Sequence, residues 1–484
     1  MRGRQTLFTY VYRDLEEQIL SGRLKYGDKL PSLRGLSERY HVGVRTAKDV
    51  LCALREKGYI RTEERKAAVV VHRQTELSAA ASSVLERRTT ILEVYRTVEL
   101  LEPPLLAFCA RICGEEEQKR LARDIARLRG KDPEQRGQIC TGCIHALAEG
   151  SRSLLIGDLF TSLGIYTRIP LFRGRERFVE LVAERGGFPS VAWAMESLLT
   201  RDADEITARF GAVFRTVTSA VQAYLDEMSR TFGGVPEDPS KGFDWAAERG
   251  RDHYYMQVTQ DLIDKIGTGE YAAGTFLPTE VALSDTYGVC IATVRKALSM
   301  LNELGFGQTV PAKGTRVVLQ DNKATMRVLK NKTFKRDTLR YLSGLQLMAV
   351  IIRPAAALAC EGTDGETLRE LERRLRSCGG IPLDILVQWV MGHQSLRPMK
   401  TILQATNRLL HWGYYFAFYS DGPSSAELLT QKSLDAFFCL RSGDRQGFAD
   451  TLSACYCHIL EFVRGFMVEY GLAEAAGIVT PDLI

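Results

Sequence analysis

Apolar positions recur at helical spacing near the start of the chain. Val11, Leu15 and Ile19 follow one another at intervals of four residues, which predicts an amphipathic helix. Gly22 follows this pattern and can adopt the left-handed backbone conformation that ends a helix. A turn at residues 27–31 separates this helix from further apolar periodicity. The pattern therefore predicts a short helical domain at the start of the chain.

Two more helices and a hairpin are predicted after the turn. The apolar positions of the two helices are Leu33, Leu36 and Tyr40, then Ala47, Val50, Leu51 and Leu54. The second helix carries polar and basic residues on its other face, so the pair is typical of a helix-turn-helix, whose second helix enters the major groove of DNA. Tyr59-Ile60 and residues 67–71 bracket a charged turn and predict a two-stranded wing. Charge alone would favour the alternative, an ordinary helical bundle with a solvated basic face.

The same pattern occurs twice in the chain. Residues 22–58 and 269–305 align without a gap at an offset of 247, and 13 of the 37 positions are identical. Chance would give roughly two identities at ordinary residue frequencies. The identities include the turn glycines Gly27 and Gly274. Because turn residues specify backbone geometry rather than charge, their repetition favours the helix-turn-helix, and the chain is interpreted as two tandem units.

Helix-forming sequence dominates the remainder of each unit. Residues 90–230 and 338–475 contain few turn residues and no sustained alternation of apolar and polar positions. We therefore predict a mainly α fold, with two winged helix-turn-helix domains, each with a small β-hairpin wing, and two all-α helical bundles in tandem. The predicted boundaries are 1–75 for the first winged helix, 76–231 for the first bundle, 232–250 for a turn-rich linker, 251–321 for the second winged helix, 322–337 for a basic linker and 338–484 for the second bundle.

Both repeats resemble the winged-helix DNA-binding domain of the GntR family of bacterial transcription regulators. The pattern of that family includes Leu-Pro-[Ser/Thr]-Glu-Arg and, further on, Val-Ser-Arg-x-Thr-Val-Arg-x-Ala-Leu. The second repeat keeps Leu277-Pro278-Thr279-Glu280 and Thr293-Val294-Arg295-Lys296-Ala297-Leu298, and the first keeps Leu30-Pro31-Ser32, Arg34 and Thr46. The resemblance covers about 70 residues per repeat. It implies double-stranded operator DNA as a partner.

The resemblance also implies which residues contact DNA. Residues of the second helix would face the major groove, and Arg34 and the wing residues would contact the DNA backbone or the minor groove. The DNA-binding residues predicted in this way are Arg34, Arg45, Thr46, Lys48, Arg65 and Lys66 in the first repeat, and Thr293, Arg295, Lys296, Lys313 and Gly314 in the second. Val44 and Ile291 stand where the family has the arginine of Val-Ser-Arg, and Val281 stands where the first repeat has Arg34.

Charge is divided unequally between the two repeats. Residues 1–72 hold 15 Lys+Arg against 9 Asp+Glu, a net of +6, whereas residues 251–320 hold 6 against 7, a net of −1. Because neutralised phosphates supply much of the affinity for DNA, the first repeat should hold DNA more strongly. Residues 322–340 hold 7 Lys+Arg and one acidic residue. This stretch is either a source of further backbone contacts or a solvated linker.

The bundle sequences resemble each other and the helical ligand-binding domain of the FadR branch of the GntR family, often called FCD. Many such domains bind a divalent metal through an aspartate and three histidines. His145 could match the first histidine, but position 141 is Thr and the second bundle has Gln388, so no metal or other cofactor is expected. A small-molecule effector, such as an organic acid or another metabolite, is the expected ligand. Candidates for its pocket are His145, Trp389, His411 and Trp412, although the aromatic residues near 411–419 are also explained by core or interface packing.

The 11 cysteines are scattered at irregular spacings. Cys140, Cys143 and His145 form a suggestive cluster, but a closed zinc site usually takes its four ligands from two such knuckles. Buried reduced thiols explain the pattern more simply, since no secretory signal is visible at the start of the chain.

Composition and missing motifs narrow the function classes. The chain has 484 residues, 45% hydrophobic and 25% charged, which is ordinary for a globular protein. No apolar run approaches the ~20 residues that a membrane helix needs, so we expect a cytoplasmic protein without membrane contact. No P-loop, nucleophile elbow or zinc-protease motif is found, so no enzymatic activity is expected.

These observations favour a sequence-specific transcription regulator controlled by a small-molecule effector. One chain would form an internal pseudo-dimer with two non-identical heads, and a further homodimer stays open. The alternative is a non-enzymatic interaction scaffold in which one or both winged helices have lost DNA binding, because each repeat lacks family arginines.

Overall fold

The computed structural model describes residues 7–20, 24–40, 43–63, 67–72, 81–82, 84–131, 133–167, 176–245, 247, 254–267, 270–303, 305–318, 332–377, 382–410, 423–469 and 471–481. Helices account for most of these residues, and the strands within them form two small antiparallel hairpins. The predicted fold class, mainly α with two winged helices and helical bundles, is confirmed.

The first head packs its helices around a small apolar core. Its elements are α1 (Leu7–Leu20), α2 (Leu33–Tyr40), α3 (Val44–Glu56), β1 (Ile60–Arg61) and β2 (Val69–Val70). Of the positions predicted to face inward, most are buried, whereas Leu33 and Tyr40 are half-buried and pack against this core. The buried positions are Val11, Leu15, Ile19, Leu36, Ala47, Val50, Leu51 and Leu54. Ile60 pairs with Val70 across the hairpin, and both side chains close the core. The predicted wing is therefore present.

The first bundle follows the first head. Its elements are α4 (Arg88–Ile112), α5 (Glu115–Ala126), α6 (Pro133–Gly150), α7 (Ile156–Thr167), α8 (Glu176–Arg185), α9 (Val191–Ser197) and α10 (Ala203–Phe232). The long helices α4 and α10 pack along each other in its centre. The Asp202 carboxylate accepts a hydrogen bond from the Glu205 N–H at 3.0 Å, which fixes the start of α10.

The second head repeats the first at the offset found in the sequence. Its elements are α11 (Tyr254–Gly267), α12 (Glu280–Tyr287), α13 (Ile291–Glu303), β3 (Gly307–Val310) and β4 (Gly314–Val317). Each of these helices begins and ends 247 residues after its counterpart in the first head. Val258, Leu262 and Ile266 are buried as their counterparts in α1 are. The duplication therefore extends from the sequence to the backbone.

A glycine turn joins each wing to the rest of its head. Gly27 and Gly274 have φ angles of 88° and 85°, in the left-handed region that favours glycine. Their N–H groups donate hydrogen bonds to the carbonyls of Val70 at 2.9 Å and Val317 at 2.8 Å. The turn before the helix-turn-helix thus lies beside the last strand of the wing in both heads.

The second bundle contains another apolar central pair of helices. Its elements are α14 (Lys332–Ala359), α15 (Gly365–Arg376), α16 (Pro382–Gly392), α17 (Arg397–Leu410), α18 (Pro423–Ser442), α19 (Arg445–Glu469) and a short 3-10 helix, Ala473–Gly477. α14 packs along α19. Residues 335–359 of α14 are long and apolar enough to cross a membrane, contrary to the sequence expectation, but 78% of the apolar 18-residue stretch within them is buried inside the protein. A central bundle helix accounts for this composition.

The two bundles pack against each other within one chain. α4 of the first bundle contacts α14 and α17 of the second. Arg397 lies 3.7 Å from the Glu93 carboxylate across this interface, and the Leu154 N–H donates to the Ser343 hydroxyl at 3.3 Å. Contacts between helices therefore join the two repeat units.

The segment predicted as a linker at 232–250 packs against the first bundle where it is described. Trp245 is 1% exposed, and its indole N–H donates to the Asp158 carboxylate at 2.9 Å. Phe243 lies against Tyr166, with ring centroids 4.9 Å apart. Trp245 and Ala247 belong to one apolar cluster that also contains buried residues of both bundles and of the second head, whereas the first head has a core of its own.

Candidate nucleic-acid interface

The recognition helix of the first head, α3, turns its basic residues away from the core. Arg45 and Lys48 are exposed, and Thr46 lies between them, half-buried. Within the described part of the chain, neither Arg45 nor Lys48 makes a hydrogen bond or ion pair through its side chain. Arg34, near the start of α2, is also exposed. The predicted DNA-facing residues of α2 and α3 are therefore accessible to a partner.

The helix that precedes each recognition helix begins at a capped N-terminus. The Ser32 hydroxyl accepts a hydrogen bond from the Gly35 N–H at 3.1 Å, and the Thr279 hydroxyl accepts one from the Ala282 N–H at 3.2 Å. Such caps fix where the helix begins. The remaining N–H groups of the first turn point outward and favour anions such as phosphates.

Two cations on the recognition helix of the second head have partners inside the head: Arg295, at the position of Lys48, and Lys296, at the position of Asp49. The Arg295 Nε donates to the Glu280 carboxylate at 2.7 Å. The Lys296 ammonium lies 4.1 Å from the centroid of the Tyr255 ring, in a cation–π contact. Leu33 stands at the position of Glu280 in the first head, so the first head cannot form the same ion pair. The two heads therefore differ in whether the cations of the recognition helix contact other side chains of the head, as well as in net charge.

Thr293 contacts a cysteine at the start of α13. Its hydroxyl oxygen lies 3.1 Å from the Cys290 sulfur, and this hydrogen bond, together with backbone N–H groups, lowers the pKa of the exposed Cys290 thiol. Gly43 stands at this position in the first head. The sequence analysis did not single out Cys290, because its relevance depends on where the start of α13 lies.

The wings differ in how much of them the structure describes. Lys313 and Gly314 lie exposed at the tip of the second wing, where Gly314 has a φ of 104° and Ala312 a φ of 61°. This tight tip joins β3 to β4. Arg65 and Lys66, the predicted contacts of the first wing, lie outside the described residues.

A tyrosine holds the helix-turn-helix to the first helix of each head. The Tyr287 hydroxyl donates to the Asp261 carboxylate at 2.6 Å, and burial followed by this hydrogen bond raises the pKa of Tyr287. In the first head the Gln18 amide donates to the Tyr40 hydroxyl at 3.3 Å. The sequence analysis placed Tyr40 in an apolar stripe, and the structure adds a polar anchor at its hydroxyl.

Aliphatic side chains are exposed where the family has arginines. Val44 and Ile291, the first residues of α3 and α13, are 54% and 37% exposed. Val281, the second residue of α12, is 58% exposed. These positions offer apolar contact and carry no charge for a phosphate.

The candidate effector residues are spread over both bundles. His145 is half-buried on α6, and Trp389 is buried on α16. Trp389 stacks on His393 with ring centroids 4.5 Å apart. His411 and Trp412 lie outside the described residues. His145 and Trp389 thus belong to different bundles.

Cys140 and Cys143 lie on α6 of the first bundle. Burial raises the pKa of Cys140 to about 11 and that of Cys143 to about 12, so both are protonated thiols at neutral pH. In the ranges that the structure describes, no group of three or more His, Cys, Asp or Glu side chains is placed to hold a metal ion.

Comparison with known proteins identifies the two heads. Residues 8–70 and 254–317 each match the family described as bacterial regulatory proteins, gntR family. Both heads belong to the GntR family. The two matches start 246 residues apart and end 247 residues apart, as 254 − 8 and 317 − 70 show, so the tandem duplication is a duplication of GntR heads.

Curated relatives match over segments about the size of one head. The uncharacterized HTH-type transcriptional regulator YieP of Escherichia coli is 38% identical over 65 residues, which are 13% of this chain and 28% of YieP. The HTH-type transcriptional regulator TreR of Bacillus subtilis is 36% identical over 81 residues, 17% of this chain and 34% of TreR. The mannosyl-D-glycerate transport/metabolism system repressor MngR of Escherichia coli is 37% identical over 68 residues, 14% of this chain and 28% of MngR. The chain thus spans about a third or less of the length of these relatives.

Solved structures align with this chain over nearly their whole length. Streptococcus agalactiae GntR is 15% identical with a TM-score of 0.21, covering 43% of this chain and 99% of that protein. Escherichia coli McbR/YncC is 16% identical with a TM-score of 0.23, covering 44% of this chain and 98% of that protein. TM-scores of this size establish no shared overall arrangement.

Proposed function

We propose that this chain is a transcription regulator that binds operator DNA through its two GntR heads. The observation that carries the proposal is the exposed pair Arg45 and Lys48, which have no side-chain partner among the described residues and lie on the recognition helix of a head with net charge +6. Arginine and lysine donate hydrogen bonds to guanine O6 and N7 in the major groove. Threonine, here Thr46, can form hydrogen bonds with more than one kind of base. Arg34 is placed for a phosphate. The regulator names of the curated relatives support this function.

The two heads would contribute unequally to DNA binding. In the described part of the first head, Arg45 and Lys48 make no side-chain hydrogen bond or ion pair, whereas the second head has a net charge of −1 and commits Arg295 to Glu280. Arg295 must leave that carboxylate, or share it, before it can contact DNA. The first head would therefore supply most of the affinity, and the second would add a weaker contact on an asymmetric site.

The paired bundles would join the two heads without a second chain. Contacts of α4 with α14 and α17 support an internal pseudo-dimer, because they bring equivalent central helices of the two units together. A small-molecule effector held by the FCD-like bundles, a cytoplasmic location and the absence of enzymatic activity belong to this proposal as well. A ligand that favours one bundle arrangement would change the spacing of the heads.

Electrophoretic mobility shift with random-sequence 30-bp duplexes tests the DNA-binding proposal, at about 50 mM and about 200 mM salt. The full chain is expected to bind in a salt-sensitive manner. The Arg45→Ala/Lys48→Ala variant should bind roughly tenfold or more weakly. The control variant Arg120→Ala/Arg136→Ala removes two exposed positive charges from the first bundle and should leave the affinity unchanged. Binding that is insensitive to salt, or equal losses in both variants, would contradict the proposal.

An interaction scaffold is the second candidate, and it applies to the second head alone. The engaged cations of α13 and the exposed Val281 and Ile291 favour it. An Arg295→Ala/Lys296→Ala variant decides between the two. Unchanged DNA affinity and salt dependence would assign the second head to protein contacts, and a loss would assign it to DNA.

A further inference from the structure

A cleft of about 560 Å³ lies where the two bundles meet. One wall comes from the first bundle, at Arg152 and Leu154. The other comes from Leu339 and Ser343 of α14 and from the short helix Ala473–Gly477 with Ile478. Clefts of ~300–1,000 Å³ between domains are common ligand sites. An occupant of this cleft would touch both repeat units at once.

The walls of the cleft combine apolar surface with one cation and one anion. Leu154, Leu339 and Ile478 supply the apolar surface. Arg152 and Glu474 are exposed, and among the described residues neither side chain makes an ion pair or hydrogen bond. Two unengaged charges of opposite sign beside apolar walls match a ligand that carries both charges on an apolar body.

The backbone at Arg152 is held in an unusual conformation. Its φ angle is 55°, in the left-handed region that residues other than glycine rarely adopt. The guanidinium lies over Gly477 on the opposite wall, since a Cβ placed on Gly477 would be 3.4 Å from the Arg152 Nη1. Strained backbone of this kind concentrates at ligand sites. The Arg152 side chain thus reaches across the cleft to the second unit.

Buried polar atoms without a partner lie in the same segments. The Ser153 hydroxyl is next to Arg152, the Gln346 side-chain oxygen is one helical turn beyond Ser343, and the Thr480 hydroxyl follows the short C-terminal helix. Such atoms cost free energy unless they find a hydrogen bond. The three residues lie near cleft-lining residues in sequence, although they do not line the cleft themselves.

We propose that this cleft binds a small zwitterion with an apolar body, either a free amino acid or a short peptide. Its carboxylate would pair with Arg152, its ammonium with Glu474, and its apolar part would lie against Leu154 and Leu339. Binding needs only the cleft. The further role as effector rests on the proposed function, because an occupant that bridges the bundles favours one arrangement of the heads.

Thermal shift with each of the twenty standard amino acids and with leucyl-leucine tests the proposal, followed by calorimetry on the ligands that bind. Leucine is paired with 3-methylbutylamine, which lacks the carboxylate, and with 4-methylpentanoate, which lacks the ammonium. At least one zwitterion is expected to raise the melting temperature. An analogue with the same apolar body but only one of the two charges should bind at least tenfold more weakly. The relative response to leucine and leucyl-leucine separates a free amino acid from a peptide. Failure of every zwitterion, or equal binding of the analogues, would overturn the proposal.

Substitutions locate the binding. Arg152→Gln and Glu474→Gln should each lower the affinity for the zwitterion at least tenfold. The matched variants Arg136→Gln and Glu469→Gln, which neutralise exposed charges away from the cleft, should leave it unchanged. Unaltered binding in Arg152→Gln would place the ligand elsewhere. DNA affinity measured without ligand distinguishes failure of one proposal from failure of the other. If the chain binds the zwitterion but no DNA, the proposed function is contradicted and the proposed ligand site is not.

Discussion

The contact between Arg295 and Glu280 shows how one neighbouring residue changes what a family arginine can do. The guanidinium is 68% exposed and the carboxylate 40%, at an N–O distance of 2.7 Å. Exposed pairs of this kind contribute about 0–1 kcal/mol, so DNA can compete for Arg295. Under the proposed DNA binding, the carboxylate would nevertheless stay beside the DNA-facing surface and repel phosphates.

Replacing that carboxylate should strengthen DNA binding. Glu280→Gln is expected to raise the affinity of the full chain several-fold, because it removes a negative charge and releases Arg295. The slope of log affinity against log salt should become steeper by roughly one. Fluorescence anisotropy titrations at several salt concentrations measure both. Glu303→Gln, at the far end of α13, is the control, and an equal gain from it would contradict a specific role for Glu280.

Residue burial within the heads followed from spacing, but residue pairing did not. The intervals between Ala47, Val50, Leu51 and Leu54 predicted the buried face of α3, since the helical period alone places them together. The Arg295–Glu280 contact joins residues 15 positions apart, and it exists because α12 packs on α13. A single sequence contains no periodicity that announces such a tertiary pair.

At the scale of elements, the turn before each helix-turn-helix depends on a left-handed glycine. Gly27→Ala and Gly274→Ala are each expected to lower the stability of their own head by about 1–2 kcal/mol, because alanine is strained at φ near 85–88°. A Cβ at either position would meet nothing within 4 Å, so the cost is conformational. Hydrogen exchange of the amides in each head measures it.

The control for these variants is a glycine substitution that should raise stability rather than lower it. Gly137→Ala lies on an exposed face of α6 with nothing within 4 Å of the new Cβ, and it should stabilise its helix by about 0.5–1 kcal/mol. Full stability in Gly27→Ala would contradict the left-handed turn.

Secondary-structure elements were predictable where local sequence determines their conformation. They were not predictable where tertiary packing determines it. The helices and wings of the heads followed from periodicity and turn residues. The packing of the predicted linker could not be predicted from its sequence, because the turn residues near 233–242 indicate only loops. Trp245 forms its hydrogen bond with Asp158, which lies 87 positions earlier in the chain. The inter-bundle cleft was likewise invisible, since it is built from segments of both units.

At the scale of the whole molecule, Trp245 lies in the apolar cluster that the bundles share with the second head, so we expect it to couple them. Trp245→Ala is expected to cost about 3–5 kcal/mol at that junction, because it empties a fully buried site and removes a donor from Asp158. Hydrogen exchange should accelerate in α7 and in the second head. The first head should be unaffected, because its core is separate. Equal acceleration in both heads would contradict this coupling.

The internal pseudo-dimer predicts the mass of the particle in solution. Light scattering should give the mass of one chain, 54.1 kDa, both alone and as the protein part of a complex with DNA. A particle of twice that mass would mean that the two bundles do not suffice and that a second copy completes the regulator.

The salt dependence of DNA affinity, compared between the two recognition helices, tests the central claim most directly. The measurement uses the full chain, the Arg45→Ala/Lys48→Ala variant and the Arg295→Ala/Lys296→Ala variant on one selected duplex. The account predicts that the first variant loses roughly tenfold or more in affinity and about two in salt slope, and that the second loses distinctly less. Salt-independent binding by the full chain, or a larger loss in the second variant than in the first, would contradict it.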